Sequence, residues 1–156
     1  MVRPRQGTPT EDLFMTNPSE TAHAGVDALT QAVQRYFDLM YGSDVSCFDR
    51  VFRSTAQLHG IRHGEMRLLT AQAYRDALAR TPSPRSQNAP RHEEILLMDV
   101  ASDSQALVKV RVRINAILYV DYLSYHRVDG DWLITAKAFH VECENLGRAQ
   151  PGGNSP

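Results

Sequence analysis

The chain has 156 residues, 42% of them hydrophobic and 22% charged, with a formal net charge of −1. That length suits a single domain able to bury a core without disulfide or metal staples. A charge this close to neutral sets up no field to recruit nucleic acid or an acidic membrane, so neither is expected as a partner. The apolar runs also fall short of the roughly 20 residues that a membrane helix needs.

The first 20 residues, MVRPRQGTPTEDLFMTNPSE, include no apolar stretch of the kind a secretory signal carries. Cys47 and Cys143 form no CxxC pair, so two free thiols in a reducing cytoplasm are expected. Residues 1–22 and 146–156 are rich in Pro, Ser, Asn and Gly or Thr with little periodicity, and both read as flexible tails. The folded unit expected between them is 23–145.

Within it, Val26, Leu29, Val33, Tyr36, Phe37 and Met40 follow the spacing of an amphipathic helix that Gly42 would end. Asp44 can cap a short second helix that buries Val45, Phe48, Val51 and Phe52. Ala56 to Ile61 and Glu65 to Leu69 read as a hairpin. Thr70 then caps a third helix, Ala71 to Arg80, which Thr81 and Pro82 stop.

A proline-rich loop spans residues 82–92, and beyond it the period becomes that of strands. The strands expected are Glu94 to Val100, Ala106 to Ile114, Leu118 to Val128 and Trp132 to Val141. In the second, Val108, Val110, Val112 and Ile114 alternate with Lys109, Arg111 and Arg113. Asp129 and Gly130 form the strongest hairpin signal in the chain. Helices grouped ahead of strands indicate an α+β domain in which three N-terminal helices pack in the concave face of a strongly bent antiparallel sheet. The first and third of these strands carry apolar residues of both parities, which favours burial on both faces and a homodimer through the outer face.

In this order, Tyr36-Phe37, Tyr41-Gly42-Ser43-Asp44, Phe52, Thr55-Ala56-Gln57-Leu58, Asp121-Tyr122-Leu123-Ser124, Asp129 to Ile134 and Lys137-Ala138-Phe139 resemble the nuclear transport factor 2-like superfamily. The C-terminal pattern looks most like its branch called putative lumazine-binding proteins. The resemblance covers about 120 residues and implies a cone-shaped, cystatin-like fold that encloses a cavity. Residues of the first helix, the hairpin and the last strands would line that cavity, a default ligand site. It implies a small apolar or aromatic ligand, with no cofactor.

Asp121 is the first candidate for chemistry. An acid among Tyr119, Val120, Tyr122 and Leu123 needs a partner or a task. In an apolar cone it would serve as a general acid. Its structural alternative is a pair with Arg111, Arg113 or Lys137. His140 shares parity with Trp132, Ile134, Ala136 and Ala138, which would set its imidazole at the cone's mouth for proton transfer. The expected catalytic pair is thus Asp121 and His140, and the expected ligand-binding residues are Tyr36, Tyr119, His59 and Arg113. His126, just before the Asp129 turn, reads as exposed.

His59 and His63 are interrupted by Gly60 and Gly64 and lack a third ligand, so no metal is expected. Asp27 and Asp38 fall beside the first helix's apolar stripe, leaving no second carboxylate for an isomerase-like pair. Two functions follow from this reading. One is a small-molecule site, binding alone or with an isomerase-, dehydratase- or cyclase-like proton transfer. The other is a dimerisation or protein-interaction module whose cone is filled by its own side chains.

Overall fold

The computed structural model describes residues 18–147. Helix α1 runs from Pro18 to Gly42, so it takes in residues 18–22 of the expected N-terminal tail. The rest of that tail, and residues 148–156 of the C-terminal one, lie outside the described residues. A leading proline is compatible with this start, since the first helical N–H has no intrahelical partner. Leu29, Val33, Tyr36 and Met40 are fully buried along one face, while Val26 at the top of the stripe stays exposed.

The residue that turns the chain out of α1 is Ser43 rather than Gly42. Its φ is 52° and its N–H bonds to the Leu39 carbonyl at 2.8 Å. A 3-10 helix, Val45–Arg50, follows; the Asp44 carboxylate accepts from the Ser46 N–H at 3.1 Å. The hairpin is β1 (Phe52–Arg62) and β2 (Glu65–Thr70). His63 and Gly64 connect them, both at positive φ, the geometry that matches strand twist in a two-residue turn. Thr70 caps α2 (Ala71–Arg80) through the Ala73 N–H at 3.1 Å.

Strands β3 (Glu93–Val100), β4 (Gln105–Ile114), β5 (Ile117–Val128) and β6 (Asp131–Cys143) complete one six-stranded sheet of order β2-β1-β6-β5-β4-β3. Asp129 and Gly130 make the β5–β6 turn with φ of 50° and 87°. All neighbours are antiparallel except β1 and β6, which run parallel. That pairing is allowed because a long excursion through β2 to β5 separates the two strands. The sheet is curved and unclosed, and α1 lies in its concave face.

The core forms where α1 meets Val108, Val110 and Val112 of β4, Leu123 and Tyr125 of β5, and Trp132 and Ile134 of β6. Phe48 stacks on Phe52 at 5.0 Å, and Phe52 meets Tyr36 and Tyr74 edge-on at 6.2 and 5.7 Å. This aromatic cluster fastens α1, the 3-10 helix, β1 and α2 together. Cys47 and Cys143 are free thiols. No helix among the described residues is long and apolar enough to cross a membrane.

One irregularity governs what faces the cone. Tyr125 pairs with Ile134, but Ser124 pairs with Ala136, so Thr135 is an extra residue in β6. Such a bulge reverses the side-chain alternation beyond it. Trp132 and Ile134 point inward before the bulge; after it, Lys137 and Phe139 do so, and Ala136, Ala138 and His140 turn outward. His126 is half-buried against this bulge, its Nδ1 2.6 Å from the Thr135 hydroxyl, rather than exposed.

Candidate functional site

The bulge brings Lys137 into the concave face. Register across the sheet aligns Leu69, Leu58, Lys137, Leu123, Val108 and Met98 in one row, so a single ammonium stands in an otherwise apolar line. Asp121 sits diagonally across on β5, where it pairs with Phe139. The residues are 5% and 0% exposed. Isolated burial of either charge would be costly, so each needs the other.

The Lys137 Nζ lies 3.0 Å from Asp121 Oδ2 and donates to the Tyr36 hydroxyl at 2.8 Å. The Tyr36 hydroxyl in turn donates to the same Asp121 oxygen. Nζ also stands 5.2 Å from the ring centroids of both Tyr36 and Tyr74, within range of the rings' negative faces. Burial, then the Asp121 charge, pushes the Tyr36 phenol well above its ordinary pKa, and burial raises Tyr74. For Lys137, burial pulls downward, but Asp121 and Tyr74 outweigh it and hold the ammonium above its usual value. Lys137 is therefore a fixed cation, unsuited to act as an amine nucleophile or base at neutral pH.

Beside this centre opens a cavity of about 310 Å³, bounded by the β1–β2 hairpin, α2 and the ends of β4, β5 and β6. Leu58, Leu69, Leu78, Ile114 and Phe139 supply apolar walls, and Tyr74, Tyr119, Arg62, Arg67 and Lys137 supply the polar edges. Arg62 donates from Nη1 to the Tyr119 hydroxyl at 3.0 Å. Phe139 meets Tyr119 edge-on at 6.4 Å. Directly across from Phe139 in the ladder is Gly60; a Cβ there would fall 2.3 Å from the Phe139 ring. The missing side chain lets that ring lie flat on β1 and form the wall.

Of the residues expected at a site, Tyr119 lines the cavity. Asp121 faces the concave side, but behind Lys137 and outside the lining, so it fronts no ligand as a general acid. Its partner is Lys137, not Arg111 or Arg113: Arg111 is taken by Glu94 and Glu142 at 2.8 and 2.7 Å. Tyr36 is fully buried, and its hydroxyl is spent on Asp121 rather than presented to a ligand. His140 is turned out by the Thr135 bulge and never meets Asp121.

His59 is exposed on the outer face, since Leu58 and Gly60 hold the inward positions of β1. Arg113 belongs to the opposite parity from Val112; its guanidinium donates to the carbonyls of Asn115 at 2.8 Å and Leu146 at 3.4 Å, at a separate hollow. Sequence reasoning overlooked Arg62, Arg67 and Phe139 as wall residues and saw Lys137 only as a partner for Asp121. One signal was present: Phe139 and Val141 are bulkier than Ala138 and His140 is polar, which favours the other parity late in β6.

A family model described as "Putative lumazine-binding" matches residues 24–140. No curated protein matches the chain significantly. Among solved structures, an NTF-2 like protein of unknown function from Silicibacter pomeroyi is similar at 20% identity and TM-score 0.67, covering 78% of this chain and 98% of its own. A protein titled putative scytalone dehydratase, from Novosphingobium aromaticivorans, is 15% identical with TM-score 0.56, covering 85% and 99%. A type 2 hexachlorocyclohexane dehydrochlorinase is 13% identical with TM-score 0.57, covering 86% and 99%. At these identities the likeness establishes the fold. With the match spanning most of the chain, the protein belongs to the "Putative lumazine-binding" family and has the nuclear transport factor 2-like, cystatin-like α+β fold.

Proposed function

We propose that the chain is a small-molecule-binding domain whose ligand enters the cone between the β1–β2 hairpin, α2 and the strand ends. The observation that carries this reading is the cavity of about 310 Å³ beside Lys137, at the lower end of the volumes that hold small ligands. A cone filled by its own side chains is the reading that this space argues against. The family's description and the two relatives named for enzymes of small molecules fit the same reading. Isomerase-, dehydratase- or cyclase-like proton transfer by an Asp121–His140 pair is not part of the proposal, because the two side chains lie on opposite faces of the sheet.

The test is a thermal-shift screen of the full chain with one- and two-ring compounds, neutral and charged, lumazine and steroid-like molecules among them. A ligand that prefers the folded state raises its apparent stability, by about 2.7 kcal/mol at one hundred times Kd. Binding in the cone predicts that Ala77→Phe, which fills the cavity from α2, abolishes the shift. A shift retained in that variant, or none with any compound, refutes the proposal.

The outer face supports a second property, self-association. One register row there reads Leu68, His59, Ala138, Tyr122, Lys109 and Leu97 across all six strands. Leu68 is 59% exposed, and Ile61 and Met66, paired beside it, are 58% and 67% exposed. The exposed apolar side chains gathered on the hairpin's outer face suit an interaction surface, for which a second copy related by two-fold symmetry is the proposed occupant. Sedimentation equilibrium should report a dimer that Leu68→Asp converts to monomer. A wild-type monomer at tens of micromolar (roughly the range where weak dimers dissociate) rules the dimer out.

A further inference from the structure

The charge lining the cone is one-sided. Three cationic side chains, Arg62, Arg67 and Lys137, border the cavity, and no acidic side chain does. The hollow of about 400 Å³ outside the C-terminal end of α1 is different: there Arg35, Arg50 and Arg85 alternate with Asp38 and Asp44, so its charges compensate one another.

Each cation of the cone has a carboxylate nearby, but none blocks it from the cavity. Asp121 approaches Lys137 from the core side and lies outside the lining. Glu144 reaches Arg62 only at 3.6 Å with its side chain 41% exposed, and Arg67 pairs with Glu65, an exposed residue, at 3.1 Å. Exposed pairs of this kind are weak and readily exchanged for a better acceptor. The Arg62 guanidinium is steadied by the Tyr119 hydroxyl at 3.0 Å, and the Lys137 ammonium is held by Asp121, Tyr36 and two aromatic rings. Two oriented cations at the edge of an apolar chamber present fixed positive charge to whatever enters, with little reorganisation on binding.

We infer that the ligand is a small organic anion, a ring-bearing apolar body with one carboxylate or comparable acidic group, its charge received by Lys137 and Arg62 and its body by Leu58, Leu69, Leu78 and Phe139. This rests on the pocket reading above and specifies its ligand class. Leu58, Leu69, Leu78, Ile114 and Phe139 wall the chamber, so a highly hydrated anion such as a nucleotide polyphosphate would lose solvation there without replacement. A neutral hydrocarbon would offer the cations no acceptor beyond the partners they already hold.

The experiment compares 2-naphthoate with 2-naphthamide by calorimetric titration of the full chain. The two share one body and differ in charge. Charge-assisted hydrogen bonds predict about ten-fold or greater preference for the naphthoate. In Arg62→Gln, at the rim and not in the core, that preference should shrink several-fold. His140→Ala, on the outer face, should leave both affinities unchanged. Equal affinities, or tighter binding of the amide, overturn the inference and leave the pocket reading standing. A preference that Arg62→Gln leaves intact overturns the assignment of Arg62. Binding of neither compound at millimolar concentration overturns the inference, and the neutral members of the thermal-shift panel then decide whether the pocket reading falls with it.

Discussion

Lys137→Met is expected to lower the unfolding free energy by about 3–5 kcal/mol, the range for removing one member of a buried ion pair. Methionine matches the length of the lysine stem and fills its space, so the loss arises from the charge left behind. Asp121 is fully buried, and its Oδ1 already has no hydrogen-bond partner among the described residues. Without Lys137 it retains only the Tyr36 hydroxyl. The double variant Lys137→Met with Asp121→Leu should recover most of the loss, since both desolvated charges go together. Urea unfolding of the singles and the double provides the measurement; a double variant as unstable as the summed singles would show that the two residues act independently.

The same centre sets an alkaline limit. The folded-state pKa of Lys137 is raised, so its contribution is complete below the unfolded value of about 10.4 and is lost as pH rises through the folded one. Tyr36 and Tyr74 are raised as well. Above about pH 10 the unfolded chain releases phenolic protons that the folded chain retains, so stability falls in the same direction. Lys137→Met should remove the lysine part of that decline and leave the tyrosine part.

Gly60→Val is expected to close the pocket, reducing ligand binding at least about ten-fold, with overpacking that costs about 1–3 kcal/mol of stability. A Cβ at Gly60 would fall 2.3 to 2.5 Å from three carbons of the Phe139 ring, which no real contact allows. The backbone on both sides is fixed by the β1–β6 ladder, in which Gly60 faces Phe139. Relief must come from the ring, and its free side is the cavity that it already borders. Phe139→Ala in the Gly60→Val background should reopen the chamber and restore ring-compound binding in part. Unchanged affinity in Gly60→Val would show that the Phe139 wall is not where ligands sit.

Much of this architecture was legible in the sequence. The alternation from Val108 to Ile114, the Asp129-Gly130 turn and the Thr70 cap are local patterns, and each is realised where its residues lie. The direction of Asp121 stayed open in the sequence, because its neighbours Tyr119, Val120, Tyr122 and Leu123 are apolar at both parities. What could not be read was any feature that depends on counting residues against a partner strand. The extra residue Leu96 in β3 explains part of that strand's double parity, for which burial on both faces was the expectation. The extra residue Thr135 carried His140 out and Lys137 in. The hydroxyl of Tyr36 was a similar case: helical periodicity places it inward, but only tertiary packing shows that Asp121 consumes it.

The Thr135 bulge makes the accommodation of one extra residue, more than residue identity, the feature that sets the lining of the cone. Drawing Thr135 into the ladder, with no residue lost, would exchange the inner and outer sets of the following segment. Ala136, Ala138 and His140 would become the lining of the cone, and Lys137 and Phe139 would be displayed on the outside. Two relatives with the same letters in β6, one bulged at this point and one regular, would therefore carry different chemistries in their pockets, whereas deletion of Thr135 would leave Lys137 and Phe139 facing inward. Comparison of family members at this strand turns on whether the extra residue is bulged or paired.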